Sequence, residues 1–426
     1  MAGAVSRAWP VTAGVGGAAA IAAFGLLYRF DPPLYLAILR GWGADPFRFP
    51  FVDTHAVVSA LECTRRGFDV YRDNPCDVLA RPFIYSPMIL GLAFVPVTAA
   101  WLGPAGLALA ALFIVAVAAL PPPRGARDWT VTILAALSTM SVFAVERGNI
   151  DLLIFAMVTL AGYLAQRGPA ARAGGYGVIL VAGGLKYYPL AGLFVMLHER
   201  PRRFAAMTAA CAAVALLFLL RYHAALAEAL ALLPRMPFTP DMFGAVNLPE
   251  GLTTLLAWTW LAWAVIAIWL FFCARQVVAI VADAEEFAAL DTPRALFLAL
   301  GAALIVGCFV AQQNVGYRGI FFLLILPGLL ALSRLPGIGR RAAVAAWLVV
   351  FLMWSGIVPQ ALRGGSAAYP AGTAALYGVR VAFWFVRELV WWHVIATLVG
   401  LLSCFAANSE MGRWAMGFRV ARRVKS

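Results

Sequence analysis

Charge is scarce in this 426-residue chain: 12% of the residues are Asp, Glu, Lys or Arg, and only 20 are acidic. Soluble domains carry about 25% charged and about 45–50% apolar residues. Here 63% are hydrophobic and the mean hydropathy is +0.86. That deficit excludes a water-soluble enzyme and a disordered chain. It also argues against nucleic acid as a partner despite a formal charge of +13. The basic residues lie in short loops between apolar runs, where anionic membrane lipids are their natural counter-charge.

Histidine and cysteine are equally sparse, with four and six copies. No CxxC occurs and no two histidines share a helix at ligand spacing, so no metal site is expected. Cys211, Cys273, Cys308 and Cys404 lie in apolar runs and read as small core residues. Cys63 and Cys76 fall in one polar stretch. Outside the cytoplasm they form a disulfide worth about 3 kcal/mol; inside it they stay free thiols. No polar stretch is long enough for a soluble domain. The longest, 31–86, holds seven of the acids.

What the chain does have is apolar runs of membrane length, since about 20 residues cross the hydrocarbon. The expected fold is all-α and polytopic, a single transmembrane domain over 1–426. Crossings are expected at 10–29, 104–121, 129–145, 150–166, 204–222, 252–274, 295–311, 319–333, 342–360 and 379–403. The first, preceded by Arg7, reads as a retained anchor. Basic loops flank 174–197 on both sides, so this run is expected to hold two short helices broken at Lys186-Tyr187-Tyr188-Pro189. The total is twelve crossings, two of them short. Loops containing Arg124 and Arg127, Arg167 and Arg172, Arg200, Arg202 and Arg203, and Arg334, Arg340 and Arg341 are assigned to the cytoplasm. So is a basic tail, 404–426, in which Arg413, Arg419, Arg422, Arg423 and Lys425 alternate with Trp414, Met416 and Phe418. Residues 31–103 are then an extracytoplasmic loop with juxtamembrane helices, one of them at 87–103. The acids Asp283, Glu285, Glu286 and Asp291 read as a solvated cytoplasmic loop and not as a metal cluster.

This topology gathers the chemically interesting residues on the outer side. Asp53, in Phe51-Val52-Asp53-Thr54-His55, is either a general base or the N-cap of a helix over 54–66. His55, two positions on, is expected to point elsewhere. In Arg147-Gly148-Asn149-Ile150-Asp151, Arg147 either pairs with phosphate or snorkels to the interface. Asn149 and Asp151 either bond sugar hydroxyls or serve the next helix. Lys186 in mid-membrane costs about 2.5–3.5 kcal/mol to insert and so needs an anion. The choices are a phosphate, with Tyr187 and Tyr188 beside it, or an ion pair with Asp151 or Glu146. In Gln312-Gln313-Asn314-Val315-Gly316-Tyr317-Arg318, Arg318 is a second candidate phosphate clamp, with Asn314 and Tyr317 as sugar contacts. Arg221, Arg235, Asp241, Asn247 and Glu250 lie on or beside another outer loop, where no spacing singles one out.

The order of these pieces is more specific than any one of them: Asp53, then Gly67-Phe68-Asp69-Val70-Tyr71, Tyr85-Ser86-Pro87, Arg147-Gly148-Asn149-Ile150-Asp151 and Gly184-Leu185-Lys186-Tyr187-Tyr188-Pro189. From about residue 10 to 335 the chain resembles glycosyltransferase family 87, which includes polyprenol-phosphate-mannose-dependent mannosyltransferases of bacterial membranes with the GT-C fold. The resemblance implies that Asp53 is the catalytic aspartate, and that Lys186 and Asn149 occupy the family's Gly-x-Lys-x-x-Pro and Gly-Asn-x-Asp elements. Tyr85-Ser86-Pro87-Met88 departs from Tyr-x-Pro-Pro at its last residue. It further implies transfer of a hexose or pentose, mannose first among them, from a polyprenyl-phosphate donor to a lipid or glycan acceptor. Transfer would invert the sugar at the periplasmic face of a bacterial inner membrane, with no cofactor. The competing class is a transporter or flippase of lipid-linked glycans, for which many crossings and a broken helix are also features.

Overall fold

The structure, a computed structural model, describes residues 2–232, 242–256, 258–364 and 374–423. Arg235, Asp241 and Lys425 lie outside the described residues. The described chain is all-α apart from one antiparallel bridge, Met242–Phe243 with Asn314–Val315. Among the described residues seven helices are long and apolar enough to cross a membrane: Trp9–Phe30, Ala99–Ala119, Pro201–Ala231, Thr259–Ala282, Thr292–Ala311, Gly339–Leu362 and Leu376–Asn408. An eighth is added if Ala126–Ala136 and Thr139–Arg147, bent by 41°, count as one. This is a multi-pass membrane protein.

The outer helices show why water is not their solvent. Only 6% of the apolar window of Pro201–Ala231 is buried, and Leu216, Leu217, Leu219 and Leu220 are exposed along it. Apolar faces of that extent require a partner, and in a membrane the partner is lipid. At the centre, 72% of the Thr292–Ala311 window is buried, and every residue of Phe322–Leu332 is.

Several expectations are corrected. Beyond those seven or eight helices, the crossings expected at 150–166 and 319–333 fall on short helices, Asp151–Ala165 and Gly316–Leu332, while the expected pair of short helices broken at Lys186 is present as Pro169–Leu185 and the 3-10 helix Tyr188–His198. A helix of 15 residues rises about 22 Å, short of an approximately 30 Å hydrocarbon layer. The crossing expected at 252–274 falls at Thr259–Ala282, after a separate Asn247–Leu255 helix. Over 87–103 only Pro87–Leu90 and the 3-10 turn Ala99–Trp101 are helical before Leu102 begins the next helix. Gly91 and Pro96 interrupt the rest, and the Arg65 guanidinium pins it by donating to the carbonyls of Val95 and Val97, both at 3.0 Å. The last long helix runs to Asn408, so the terminal helix is Glu410–Arg423 and not the whole of 404–426.

Two polar layers cap the bundle at opposite helix ends. At one end Asp291 pairs with Arg124 and Arg294, Asp128 with Arg334, and Asp283 with Arg341. Glu286 accepts the N–H groups of Gly337 and Ile338. Three of the four acids that form a group in the sequence, Asp283, Glu286 and Asp291, are thus divided among separate partners. The 20 residues of Thr292–Ala311 separate this layer from Asn314 and Arg318, about 30 Å away along the axis. Asp53, Arg147, Asp151 and Lys186 belong to that second layer.

Candidate functional site

Local sequence sets each piece of the second layer. Asp53 is the second residue of Val52–Arg65, where its charge favours the helix dipole. It is not the N-cap: Phe51 holds that place with φ +64, and its N–H donates to the Glu146 carbonyl at 2.6 Å. A left-handed phenylalanine is strained. Gly148, with φ +56, ends the Thr139–Arg147 helix and lets the two segments touch, since a Cβ there would lie 2.4 Å from Thr54 Oγ1. The Thr54 hydroxyl donates to the Gly148 carbonyl at 2.6 Å. Lys186 has extended backbone between Pro169–Leu185 and Tyr188–His198, as expected for a chain that Pro189 prevents from continuing as an α-helix.

These pieces converge. Arg147 grips Asp53 with two parallel bonds, Nε to Oδ2 at 2.8 Å and Nη2 to Oδ1 at 2.5 Å. Asn149 Nδ2 donates to the same Oδ2 at 2.5 Å. Asn149 Oδ1 accepts from Lys186 Nζ at 3.0 Å and from the Asp151 N–H at 2.9 Å. Lys186 Nζ and the Tyr188 hydroxyl both donate to Asp151 Oδ1, each at 2.6 Å. Arg318 Nε lies 3.5 Å from Asp151 Oδ2. Asp53, Asn149, Asp151, Lys186 and Tyr188 are all buried. Three cations and two carboxylates make up this network, with the buried Glu146 carboxyl next to Arg147 in sequence.

Aromatic rings close it. Arg147 faces the rings of Phe47, Phe143 and Tyr317, at 5.1, 5.3 and 5.8 Å. Lys186 Nζ lies 5.3 Å from the Tyr85 ring and 5.9 Å from that of Tyr317, and Arg318 is 5.1 Å from Tyr188. Cations desolvated against ring faces gain about 2 kcal/mol or more apiece.

The expected site residues are therefore gathered in one place, with their partners settled. Arg147 neither snorkels nor stands open; it is committed to Asp53. Lys186 takes the ion-pair alternative with Asp151 and not with Glu146. Asn149 takes the alternative of serving the next helix, accepting the Asp151 N–H, and it also bonds Asp53 and Lys186. Asn314 is absorbed into the backbone: it accepts from Arg318 and donates to the carbonyls of Cys308 and Gln312 at 2.5 and 2.6 Å. Tyr187 is exposed, with its ring edge-on to Tyr188. His55 points away, 3.5 Å from Asp77. Cys63 and Cys76 are joined as a disulfide.

Sequence reasoning missed the cation-facing rings Phe47 and Phe143, which nothing distinguishes from other apolar residues. Glu146, considered only as a partner for Lys186, is buried with no hydrogen-bond partner on either carboxylate oxygen among the described residues. Another omission had a signal: Arg387 and Glu388 are adjacent charges inside an apolar helix. Both are buried, 3.3 Å apart, and Arg387 donates to the Met242 carbonyl. No family model, curated protein or solved structure matches this chain.

Proposed function

We propose that the chain is a GT-C-type membrane glycosyltransferase that moves a hexose or pentose from a polyprenyl phosphate to a lipid or glycan acceptor. The observation that carries this reading is a buried network of three cations and two carboxylates, in which Arg147 and Asn149 hold Asp53 while Lys186 and Arg318 contact Asp151. A polyprenyl phosphate ester is a monoanion on a lipid that cannot leave the bilayer. It matches a cation-rich cluster at one end of a membrane bundle in both charge and location.

In this mechanism Asp53 takes the proton of an acceptor hydroxyl as its oxygen attacks the anomeric carbon. The bond from that carbon to the phosphate oxygen breaks on the opposite face, so configuration inverts. The electron pair leaves with polyprenyl phosphate, whose charge Lys186 and Arg318 offset, an electrostatic contribution that is usually the largest in catalysis. Asp151 orients those cations beforehand. Arg147 and Asn149 aim Asp53, and each carboxylate oxygen retains acceptor capacity for the incoming hydroxyl. Tyr85 and Tyr317 offer faces for the sugar.

On this reading all twelve expected stretches cross, the four short helices among them, and the site faces the periplasm of a bacterial inner membrane. The Cys63–Cys76 disulfide, close in sequence to Asp53, supports an oxidising side. The break at Lys186 is also what a transporter of lipid-linked glycans needs. Purified protein given radiolabelled polyprenyl-phosphate sugar and candidate acceptors separates the two readings. Covalent product that disappears in Asp53→Asn supports transfer. Movement of label across proteoliposomes without product overturns it.

A further inference from the structure

The helix that carries Asp53 has a second working face. His55, Ser59 and Cys63 recur every four residues along Val52–Arg65, so they form one stripe. All three are buried, and the disulfide-closed loop meets both ends of that stripe. At the far end the contact is covalent, Cys63 to Cys76. At the near end it is made by the residues that follow Cys76. The Asp77 carboxylate, wholly buried, lies 3.5 Å from His55 Nδ1 and accepts from the Leu79 N–H at 2.8 Å and from Arg81 Nε at 2.9 Å. Arg81 then reaches back: its Nη2 donates to the Val52 carbonyl at 3.0 Å, one residue before Asp53.

We propose that Arg81 is a positioning residue for Asp53, clamping the first turn of its helix, and that the Cys63–Cys76 bond makes this clamp depend on oxidation. Arg81 touches neither Asp53 nor the Lys186 pocket. It acts through the Val52 peptide, whose orientation sets where the next side chain points. The geometry is economical: one guanidinium joins a buried carboxylate of the loop to a helix carbonyl that already accepts within its own helix. Removing it takes away the loop's hold on the first turn, leaving Asp53 to Arg147 and Asn149 and the helix start to the contacts of Phe51 and Thr54 with Glu146 and Gly148. Reducing the disulfide lets Asp77, the residue after Cys76, withdraw and take Arg81 with it. A misplacement of about 1 Å at a reacting group costs on the order of 100-fold in rate. A loosened turn therefore lowers turnover while leaving the donor pocket intact.

The inference rests on the assignment of Asp53 as the base, and the test separates the two. Full-length wild type, Arg81→Ala, Arg81→Lys and Cys63→Ser/Cys76→Ser are compared in lipid nanodiscs by amide hydrogen exchange and by transfer kinetics. In Arg81→Ala, exchange at 55–58 is expected to rise about tenfold with the Pro169–Leu185 helix unchanged. The transfer kcat is expected to fall about tenfold at constant donor KM, and Arg81→Lys to recover at least half of both effects. The serine pair should shift in the same direction, as should wild type treated with a phosphine reductant. If Arg81→Ala does not fold, Asp77→Asn loosens the same clamp and is read identically. Unchanged exchange at 55–58, or a wild-type kcat in an Arg81→Ala protein whose parent is active, overturns the proposal. A parent that makes no product while Arg81→Ala still speeds local exchange leaves the clamp standing and sinks the transferase reading instead.

Discussion

Arg147 and Asp53, 94 residues apart in the chain, meet through two near-parallel hydrogen bonds in a buried setting. A planar guanidinium fits a carboxylate in this way, and a lysine at position 147 does not. The pair joins the start of one helix to the end of another.

Breaking the pair from either side is expected to cost about 3–5 kcal/mol, because the remaining charge is left buried and alone. Asp53→Asn and Arg147→Met should each lower the melting temperature in detergent. The double variant should melt higher than the sum of the single losses implies, with a coupling of about 1–3 kcal/mol. Strict additivity in that cycle refutes the pairing. Arg147→Lys should recover less than half of the loss.

Lys186 and Arg318 share Asp151, so the two cations are not equivalent. Lys186→Ala removes a direct donor to both Asp151 and Asn149. It is expected to weaken binding of a polyprenyl-phosphate sugar at least tenfold and to lower turnover with it. Arg318→Ala, whose contact with Asp151 is longer at 3.5 Å, should do less damage to stability and comparable damage to donor affinity. Equilibrium binding of a fluorescent donor analogue checks both, and unchanged affinity in Lys186→Ala removes phosphate from its role.

Gly148→Ala should be unusually harmful for a single added methyl. Its φ of +56 disfavours any L side chain, and the new Cβ would lie 2.4 Å from Thr54 Oγ1 and 3.1 Å from Phe51. A destabilisation of about 1–3 kcal/mol is expected from the backbone conformation and the forced separation together. Thr54→Ala in the same chain should relieve part of it. Equal melting temperatures for wild type and Gly148→Ala would contradict the close approach.

Asp77 makes the outer loop sensitive to acid. Burial works against its charge. The His55 side chain, the Leu79 N–H and Arg81 outweigh that penalty and hold the carboxyl below its ordinary value of 3.8. A depressed folded-state pKa gives stability that is fully present above the unfolded value and is lost as pH falls through the folded one. Hydrogen exchange over 66–86 should therefore hold steady at neutral pH and accelerate below about pH 4. Asp77→Asn should flatten that response, and a profile identical to wild type would contradict it.

Much of the frame is local information and can be read along the chain. Hydropathy marks the long helices, because burying apolar surface in lipid needs only composition and length. Pro189 announces the break at Lys186, and the spacing of Cys63 and Cys76 in one polar stretch admits the bond they form. The short helices and the 259–282 boundary were harder to read, since packing against a buried neighbour lets a helix be shorter or shifted relative to its hydropathy peak. The partners of the charges are another matter. Whether Arg147 snorkels, meets an anion or clamps Asp53 depends on which helix ends come together, and no residue pattern near Arg147 encodes that. Lys186 likewise has two carboxylates within reach of any sequence argument, and packing selects Asp151. Hydrophobic patterning acts over a few residues, whereas a buried charge is satisfied by whatever the completed bundle brings within about 3 Å, so the site exists only once the helices have closed around it.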